Sequence, residues 1–516
     1  MVRRIQMPPF KKLLIANRGE IAVRIIRACR ELGIRAVAVY SDVDRASQHV
    51  LMAEEAYPIG LAPSAESYLC IEKLIAVAQR CAADALHPGY GFLAENPALA
   101  HACQQAGLVF IGPPPQAMEL MGSKTESRKT AARVGVPVVP GIERPLAAAE
   151  EGARFAAQWG YPVVLKAVAG GGGKGMRVLR APDAWEAAWR DARSEAQNAF
   201  GDPALYLEKY LERPRHIEIQ ILGDQHGNLV HLGERECSLQ RRHQKLVEES
   251  PSPVMTSALR QEMGAAAVKI ARAVGYTNAG TVEFLVVRSP QHGRDFDFSF
   301  LEMNTRLQVE HPVTELVTGL DLVKEQIRLA AGDPLGYRQE DIVWRGAAIE
   351  CRLYAEDPNN NFFPCPGRIT RLVRPAGPGV RVDDCVYEGW TVPLDYDPLL
   401  AKLISWGSTR HEALARLRRA LAEYEVGGIQ TNLSFFRRLV EREEFQRGEL
   451  DTELVDRLLA EPPPTGTPSP LRDAAALAAV LGEMTPATNG LHPETTSKWK
   501  QAARAAALRS GGRPRR

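Results

Sequence analysis

Apolar and polar positions in the first hundred residues switch repeatedly between two periods. Leu13-Leu-Ile-Ala16 is a continuous apolar run, residues 20–33 carry apolar side chains at helical spacing, and Ala36-Val-Ala-Val-Tyr40 is continuous again. Short buried strands separated by amphipathic helices imply a parallel sheet with helices on its faces. The same alternation predicts a helix over 70–81, a strand at 85–86, the loop His87-Pro-Gly-Tyr-Gly-Phe-Leu-Ala-Glu-Asn96, another helix, and a strand over 108–111. Pro113-Pro-Pro115 closes this first domain, set at residues 8–121.

The pattern then changes. A second domain, 122–335, contains several strands and a strand-rich stretch over 281–302. A third, 336–456, has short β runs punctuated by Gly and Pro, such as Gly367-Arg-Ile-Thr-Arg-Leu-Val373, and then a helix over 411–423. From 457 onward comes a Pro-rich linker, Glu461-Pro-Pro-Pro-Thr-Gly-Thr-Pro-Ser-Pro470, followed by Ala-rich helical segments and a basic end. In that tail Trp499, Ala502, Ala506 and Leu508 fall on one helical face beside Lys498, Lys500, Arg504 and Arg509, a pattern that suits docking on a partner protein or folding back on its own domain. The fold class expected is thus mixed, α/β and α+β.

Composition narrows the chemistry. The chain has 516 residues, 45% hydrophobic and 24% charged, with a formal charge of +2, so it shows no basic footprint for nucleic acid and no apolar run long enough for a membrane span. Small-molecule chemistry is favoured. Its 8 cysteines form no Cys-x-x-Cys pair and no His-spaced cluster, which fits neither a zinc site nor a disulfide framework but does fit the cytoplasm.

Val163-Val-Leu-Lys-Ala-Val-Ala-Gly-Gly-Gly-Gly-Lys-Gly-Met176 reads as a buried strand, a lysine near its end, and a hinged glycine flap. Bare backbone N–H groups at Gly170, Gly171, Gly172 and Gly173, with Lys166 and Lys174 beside them, suit a phosphate chain. The run has neither the Walker spacing nor Gly-x-Gly-x-x-Gly. The first domain looks Rossmann-like, yet its first turn, Ala16-Asn-Arg-Gly-Glu20, has one glycine where a dinucleotide site wants three, which argues against NAD. In Thr281-Val-Glu-Phe284 and Phe300-Leu-Glu-Met-Asn-Thr-Arg-Leu-Gln-Val-Glu-His311 polar residues alternate along two expected hairpin strands. Alternation puts Glu302, Asn304 and Arg306 on one face, where Glu302 and Asn304 can share a divalent ion with Glu283, unless the face is simply solvated. The charge-dense block from Gly233 to Lys245 reads as a solvated loop except for Gln240, His243 and Lys245, types able to hold ribose, phosphate or a small oxyanion. Arg352 alternates with apolar neighbours and projects from a strand, by default into an ion pair.

Five blocks in order carry a resemblance: Leu14-Ile-Ala-Asn-Arg-Gly-Glu-Ile-Ala22, His87-Pro-Gly-Tyr-Gly-Phe-Leu93, Gly170-Gly-Gly-Gly-Lys-Gly175, Gln240-Arg-Arg-His-Gln-Lys245, and residues 302–311. Over 11–455 the chain resembles biotin carboxylase, an ATP-grasp enzyme, and within that family the component of acetyl-CoA carboxylase or a related acyl-CoA carboxylase, such as those acting on propionyl-CoA or methylcrotonyl-CoA. The resemblance implies an ATP-grasp domain with a mobile lid over about 139–210, a Rossmann-like (pre-ATP-grasp) domain before it and a β-rich domain after it. It implies ATP, magnesium (or manganese) and bicarbonate, and a biotin supplied on a separate carrier protein, because this chain has no Ala/Val-Met-Lys-Met attachment motif.

Carried over residue by residue, Lys124, Lys166, Gly171, Gly172, Gly173, Glu208, Lys209, Leu211, His216, Gln240 and His243 line the nucleotide. Glu283, Glu302 and Asn304 hold the metal, Lys245, Arg306, Gln308, Val309 and Glu310 the bicarbonate, and Tyr90 and Arg352 the biotin. Glu310, Arg306, Lys245 and Arg352 are the catalytic set, with Glu310 as base. A biotin carboxyl carrier protein, carboxyltransferase subunits and a second copy of the chain are the implied partners. Two segments depart from the family's pattern, an enlarged hairpin tip over 288–295 and a slightly long 359–364. A carbamoyl-phosphate-type ligase is disfavoured by the single ATP-grasp half, and a non-catalytic nucleotide-binding scaffold by the presence of Glu310, Lys245 and the metal carboxylates.

Overall fold

The first domain is built as its periodicity predicts. In the computed structural model, residues 9–142, 144–169, 175–288 and 295–461 are described. Strands Lys12–Ile15, Arg35–Ser41, Ala85–His87 and Val109–Phe110 and helices Gly19–Leu32 and Ile71–Arg80 fall where expected. A strand that the pattern did not predict, Glu55–Gly60, joins the edge, because its alternation is interrupted by Pro58. The five strands are parallel, with Lys12–Ile15 in the middle between Arg35–Ser41 and Ala85–His87. Helix Gly19–Leu32 buries Ile21, Ala22, Ile25, Ile26 and Cys29 and stops at Gly33, whose φ of 72° supplies the left-handed cap.

The remainder is dominated by one antiparallel sheet of eight strands. Its order is Phe296–Asn304, Asn278–Arg288, Arg215–Gly223, Leu229–Arg241, Gln244–Ser250, Ala347–Tyr354, Leu399–Gly407 and Val380–Asp384. Five of these strands come from the second expected domain and three from the third. The ladder crosses between them without a break, Val247 pairing with Cys351 and Glu248 with Glu350. The boundary expected near residue 335 falls between helix Leu322–Ala330 and strand Ala347–Tyr354, which joins the same sheet. A separate sheet of three antiparallel strands, Arg177–Leu179, Val163–Ala167 and Leu205–Lys209, packs on helices Ala149–Trp159 and Trp185–Phe200. The block 233–245, expected as a solvated loop apart from a few residues, is largely buried strand and hairpin. The chain divides into two units at Leu458 and Leu459, and the linker and tail from 462 lie outside the described residues. Among those residues no helix is long and apolar enough to cross a membrane.

Several buried ionisable groups respond to acid in opposite directions. Burial pushes the His49 imidazole down to about 4, against the opposing pull of Asp44, so folded His49 stays neutral where an unfolded one would charge. Its contribution is therefore complete above the ordinary histidine value of about 6.5 and is lost as pH falls from there toward about 4. Glu356 is raised to about 7 by burial, so acid in that window favours the fold there and masks the histidine in the whole protein. The test is the variant: His49→Gln should cost most above pH 6.5 and progressively less toward about pH 4.5, read as the gap between denaturant midpoints of the two proteins. A gap that stays constant with pH would remove His49 from this account.

Candidate active site

On the three-stranded sheet, Lys166 and Glu208 meet across the strand pair, Lys166 Nζ donating to Glu208 Oε2 at 2.5 Å. Arg128, from helix Lys124–Arg133, also pairs with Glu208 and donates to the Val139 carbonyl at 2.6 Å. Burial alone would raise the Glu208 carboxyl, but Lys166 and Arg128 outweigh it and hold it below the ordinary carboxylate range. Strand alternation turns Lys209 the other way, its ammonium donating to the Gly160 carbonyl at 2.8 Å. Gly171, Gly172 and Gly173 lie outside the described residues.

Strands Leu229–Arg241 and Gln244–Ser250 are joined by a two-residue turn in which Arg242 (φ 50°) and His243 (φ 66°) are both left-handed. That is the turn twist a tight hairpin prefers, and it is usually supplied by Asn-Gly; two large side chains there carry backbone strain. The turn sets His243 beside the lysines of the nucleotide side, and burial, then Lys166, lowers its imidazole so that it is neutral. Gln240 donates to His216 Nδ1 at 2.8 Å, and His216 Nε2 lies 3.0 Å from Glu283 Oε2.

At the centre of the large sheet stands Lys245. Its ammonium donates to Glu218 Oε2 at 2.6 Å, Glu283 Oε1 at 2.9 Å and Glu310 Oε1 at 2.8 Å. Three carboxylates around one buried ammonium raise Lys245 well above the ordinary lysine value despite its burial. Glu310 is fully buried and receives a second cation, Arg352 Nη2, at Oε2, 2.9 Å away. Burial would push its proton affinity up; Lys245, Arg352 and Arg235 together hold it well below the ordinary range, so Glu310 is a carboxylate. Arg352 is not left with Glu310 alone, for its Nε donates to Glu248 Oε1 at 2.6 Å. The Cys237 thiol, 3.9 Å from Glu310 Oε1, is raised well above its usual value by burial and by Glu218, and stays protonated.

The hairpin expected from alternation is present. Glu283 stands opposite Glu302, and Thr281 opposite Asn304. Asn304 Nδ2 and Gln308 Nε2 donate to Glu283 Oε1 at 2.8 and 3.1 Å, while the half-exposed Glu302 has Lys124 Nζ 4.0 Å away. Arg306 fans out over this edge, donating to Gln308 Oε1 at 2.8 Å, Asn304 Oδ1 at 3.1 Å and Glu95 Oε2 at 2.9 Å. Among the described residues His216, Glu218 and Glu283 also bring ligand atoms within 4.8 Å of one another, but the Lys245 ammonium already meets two of those carboxylates.

Tyr90 reaches the site from the first domain. The Asn17 side-chain amide donates to the Pro88 and Tyr90 carbonyls, both at 2.7 Å, and the Tyr90 hydroxyl donates to Glu20. Gly89 between them has φ 65°, and a Cβ there would meet Asn17 Nδ2 at 2.9 Å, so the loop needs glycine. The turn 16–20, whose single glycine argued against a dinucleotide, is thus the clamp for the loop that carries Tyr90.

Glu218, Glu248, Arg235 and Lys402 were not singled out from sequence. A signal existed for the first: in Arg215–Gly223, His216, Glu218 and Gln220 alternate with Ile217, Ile219 and Ile221, the mark of one polar and one apolar strand face.

Three family models match this arrangement in turn: the biotin carboxylase N-terminal domain over residues 9–118, the carbamoyl-phosphate synthase L chain ATP binding domain over 123–338, and the biotin carboxylase C-terminal domain over 350–457. Biotin carboxylase 1 of Bacillus subtilis is 52% identical over 446 residues, 86% of this chain and 98% of that one. A pyruvate carboxylase component from Methanothermobacter thermautotrophicus is 53% identical over 447 residues, 87% of this chain and 90% of that protein. The biotin carboxylase domain dimer of Hydrogenobacter thermophilus 2-oxoglutarate carboxylase, solved with MgADP, ADP and bicarbonate, superposes with a TM-score of 0.84 at 46% identity, covering 89% of this chain and 100% of that one. The fold is an ATP-grasp domain between a biotin carboxylase N-terminal and C-terminal domain, and the chain belongs to the biotin carboxylase family.

Proposed function

We propose that this chain carries out ATP-dependent carboxylation of biotin held on a separate carrier protein, the first half-reaction of a biotin-dependent carboxylase. Bicarbonate attacks the γ-phosphate of MgATP, the bond to ADP breaks, and carboxyphosphate forms. Its breakdown to CO₂ and phosphate delivers CO₂ to N1′ of biotin, whose proton passes to the released phosphate. The observation that supports this most is the buried carboxylate of Glu310 held between Lys245 at 2.8 Å and Arg352 at 2.9 Å. That grouping keeps a base ionised and places it between a cation that can turn to an incoming oxyanion and one that can turn to deprotonated biotin.

In this reading Lys245, Arg306, Gln308 and the Val309 amide cradle bicarbonate, and Glu310 removes its proton. Arg352 then stabilises the enolate-like oxygen of biotin, with Tyr90 beside the ring. Lys124, Lys166, Glu208, the Lys209 and Leu211 backbone, His216, Gln240 and His243 face the nucleotide, and Gly171, Gly172 and Gly173 close over its phosphates. The oxygens of Glu283 and Glu302, opposite one another in the ladder, and of Asn304 fit a hard cation and would hold magnesium, which when bound neutralises the triphosphate. The reading extends to a homodimer, since the related domain from Hydrogenobacter thermophilus is described as a dimer, and to docking on a biotin carboxyl carrier protein and carboxyltransferase subunits. Eight free cysteines fit a cytoplasmic setting. On this reading the final acceptor, an acyl-CoA or another acid, is selected by other subunits, a view supported by likeness both to a chain named for pyruvate carboxylase and to one from 2-oxoglutarate carboxylase.

The direct test is ADP release by the purified protein. It should require both MgATP and bicarbonate and rise on adding free biotin. ADP release indifferent to bicarbonate and biotin would refute the assignment.

A further inference from the structure

A fully buried lysine that has had no role assigned so far touches the bicarbonate loop from behind. Lys402, on strand Leu399–Gly407, is 0% exposed and donates to the Val309 carbonyl at 3.0 Å. It pairs in register with Arg352 on one side and with Asp383 on the other, so it lies in the same sheet as the proposed biotin-binding guanidinium. Its charge is balanced from two directions: Glu20 Oε1 of the first domain is 3.1 Å away, and Asp383 Oδ2 of the neighbouring strand is 4.0 Å away. Glu20 in turn accepts from the Tyr90 hydroxyl, and the Lys402 ammonium sits 5.9 Å from the Tyr90 ring centroid.

The place of that hydrogen bond matters more than its strength. The Val309 carbonyl belongs to the peptide that joins Val309 to Glu310, and a peptide is planar, so holding its oxygen fixes the plane from which Glu310 departs. The preceding peptide, which carries the Val309 N–H, is held through its own oxygen, the Gln308 carbonyl accepting from His311 Nδ1 at 2.9 Å. Among the described residues no acceptor takes the Val309 N–H, which leaves it available to an anion. A buried ammonium is a costly way to hold a loop if stability alone is at issue, because an apolar side chain of similar volume would avoid the desolvation. A charged donor gives a shorter, better-directed hydrogen bond than a neutral one, and direction is what an anion cradle requires.

We infer that Lys402 is a positioning residue for the bicarbonate step: it pins the Val309–Glu310 peptide from behind, setting where Glu310 departs from the loop, next to the Val309 N–H of the preceding peptide, and ties that placement to the Glu20–Tyr90 contact. The inference rests on the carboxylase reading above. It concerns bicarbonate and not nucleotide, because among the described residues no contact joins Lys402 to the Lys166–Glu208 side of the site.

The test is Lys402→Met beside the double variant Glu20→Gln with Lys402→Met, which removes the partner carboxylate together with the ammonium and so protects folding. Misplacement of a reacting group by about an ångström costs on the order of 100-fold, so kcat/KM for bicarbonate should fall by about that factor in both variants. The MgATP dissociation constant, measured by titration calorimetry, should stay within about twofold, since ground-state nucleotide contacts are untouched. Equal losses toward bicarbonate and MgATP, an unchanged kcat/KM for bicarbonate, or failure of both variants to fold would each overturn the positioning role. Failure of the carboxylase reading itself is distinguishable, because the parent protein would then show no bicarbonate-dependent ADP release at all.

Discussion

Glu310→Gln is expected to lower bicarbonate-dependent ADP formation by about 10²–10⁴-fold, the usual worth of a positioned general base. The MgATP dissociation constant should scarcely change. Glu310 is fully buried between Lys245 and Arg352 and, among the described residues, makes no contact with Lys166 or Glu208, so the amide should remove a proton acceptor without disturbing adenine or ribose contacts. The substitution also relieves a charge balance. Lys245 retains Glu218 at 2.6 Å and Glu283 at 2.9 Å, and Arg352 retains Glu248, so neither cation is stranded and the fold should survive. Bicarbonate-dependent turnover close to that of the parent would take the role of base away from Glu310.

Arg352→Ala should separate the two chemical stages. Carboxybiotin formation is expected to fall by about 10²–10³-fold, the scale of losing one preorganised donor to a developing oxyanion. Slow ADP release without biotin should persist, reduced only by what the loss of one Glu310 partner costs. Removing the guanidinium leaves Glu248 and Glu310 facing each other; burial already raises Glu248 to about 7 with Arg352 present, so the unpaired carboxyl should take up a proton. Arg352→Lys keeps a charge but not the two-sided reach, and should recover the fold more fully than the rate. If biotin-dependent and biotin-independent activities fell together, Arg352 would belong to the bicarbonate step.

Much of this centre was legible as alternation. Glu283, Glu302 and Asn304 were placed on one face of a hairpin from a period of two, and they occupy paired positions of the ladder. Most helices and strands of the first domain followed from their apolar spacing; the edge strand Glu55–Gly60 did not. What periodicity did not reveal was partnership across long separations. Lys245 meets a carboxylate 65 positions later in the chain, and Lys402 a carbonyl 93 positions earlier. Nothing local marks such pairs, since they exist only once the sheet is assembled. The block 233–245 misled for a related reason: dense charge usually means solvent, whereas here Arg235 is saturated by Glu218, Gln220, Thr281 and Thr314 within the sheet. Charge composition reports exposure only when the charges have no partners inside.

The unbroken ladder between Gln244–Ser250 and Ala347–Tyr354 bears on how such a protein can be recombined. A chimera that takes its last third from a relative would ordinarily be joined at the apparent boundary near residue 335. Here that cut divides a hydrogen-bonded seam in which Val247, Glu248, Glu249 and Ser250 pair with Cys351, Glu350, Ile349 and Ala348. The two parents would have to agree in register along the whole seam, because a slip of one residue would turn Arg352 to the opposite face of the sheet. Grafts that carry Gln244–Ser250 together with the later strands keep that seam within one parent, and hybrids should be planned around the pairing of strands and not around the linear order of domains.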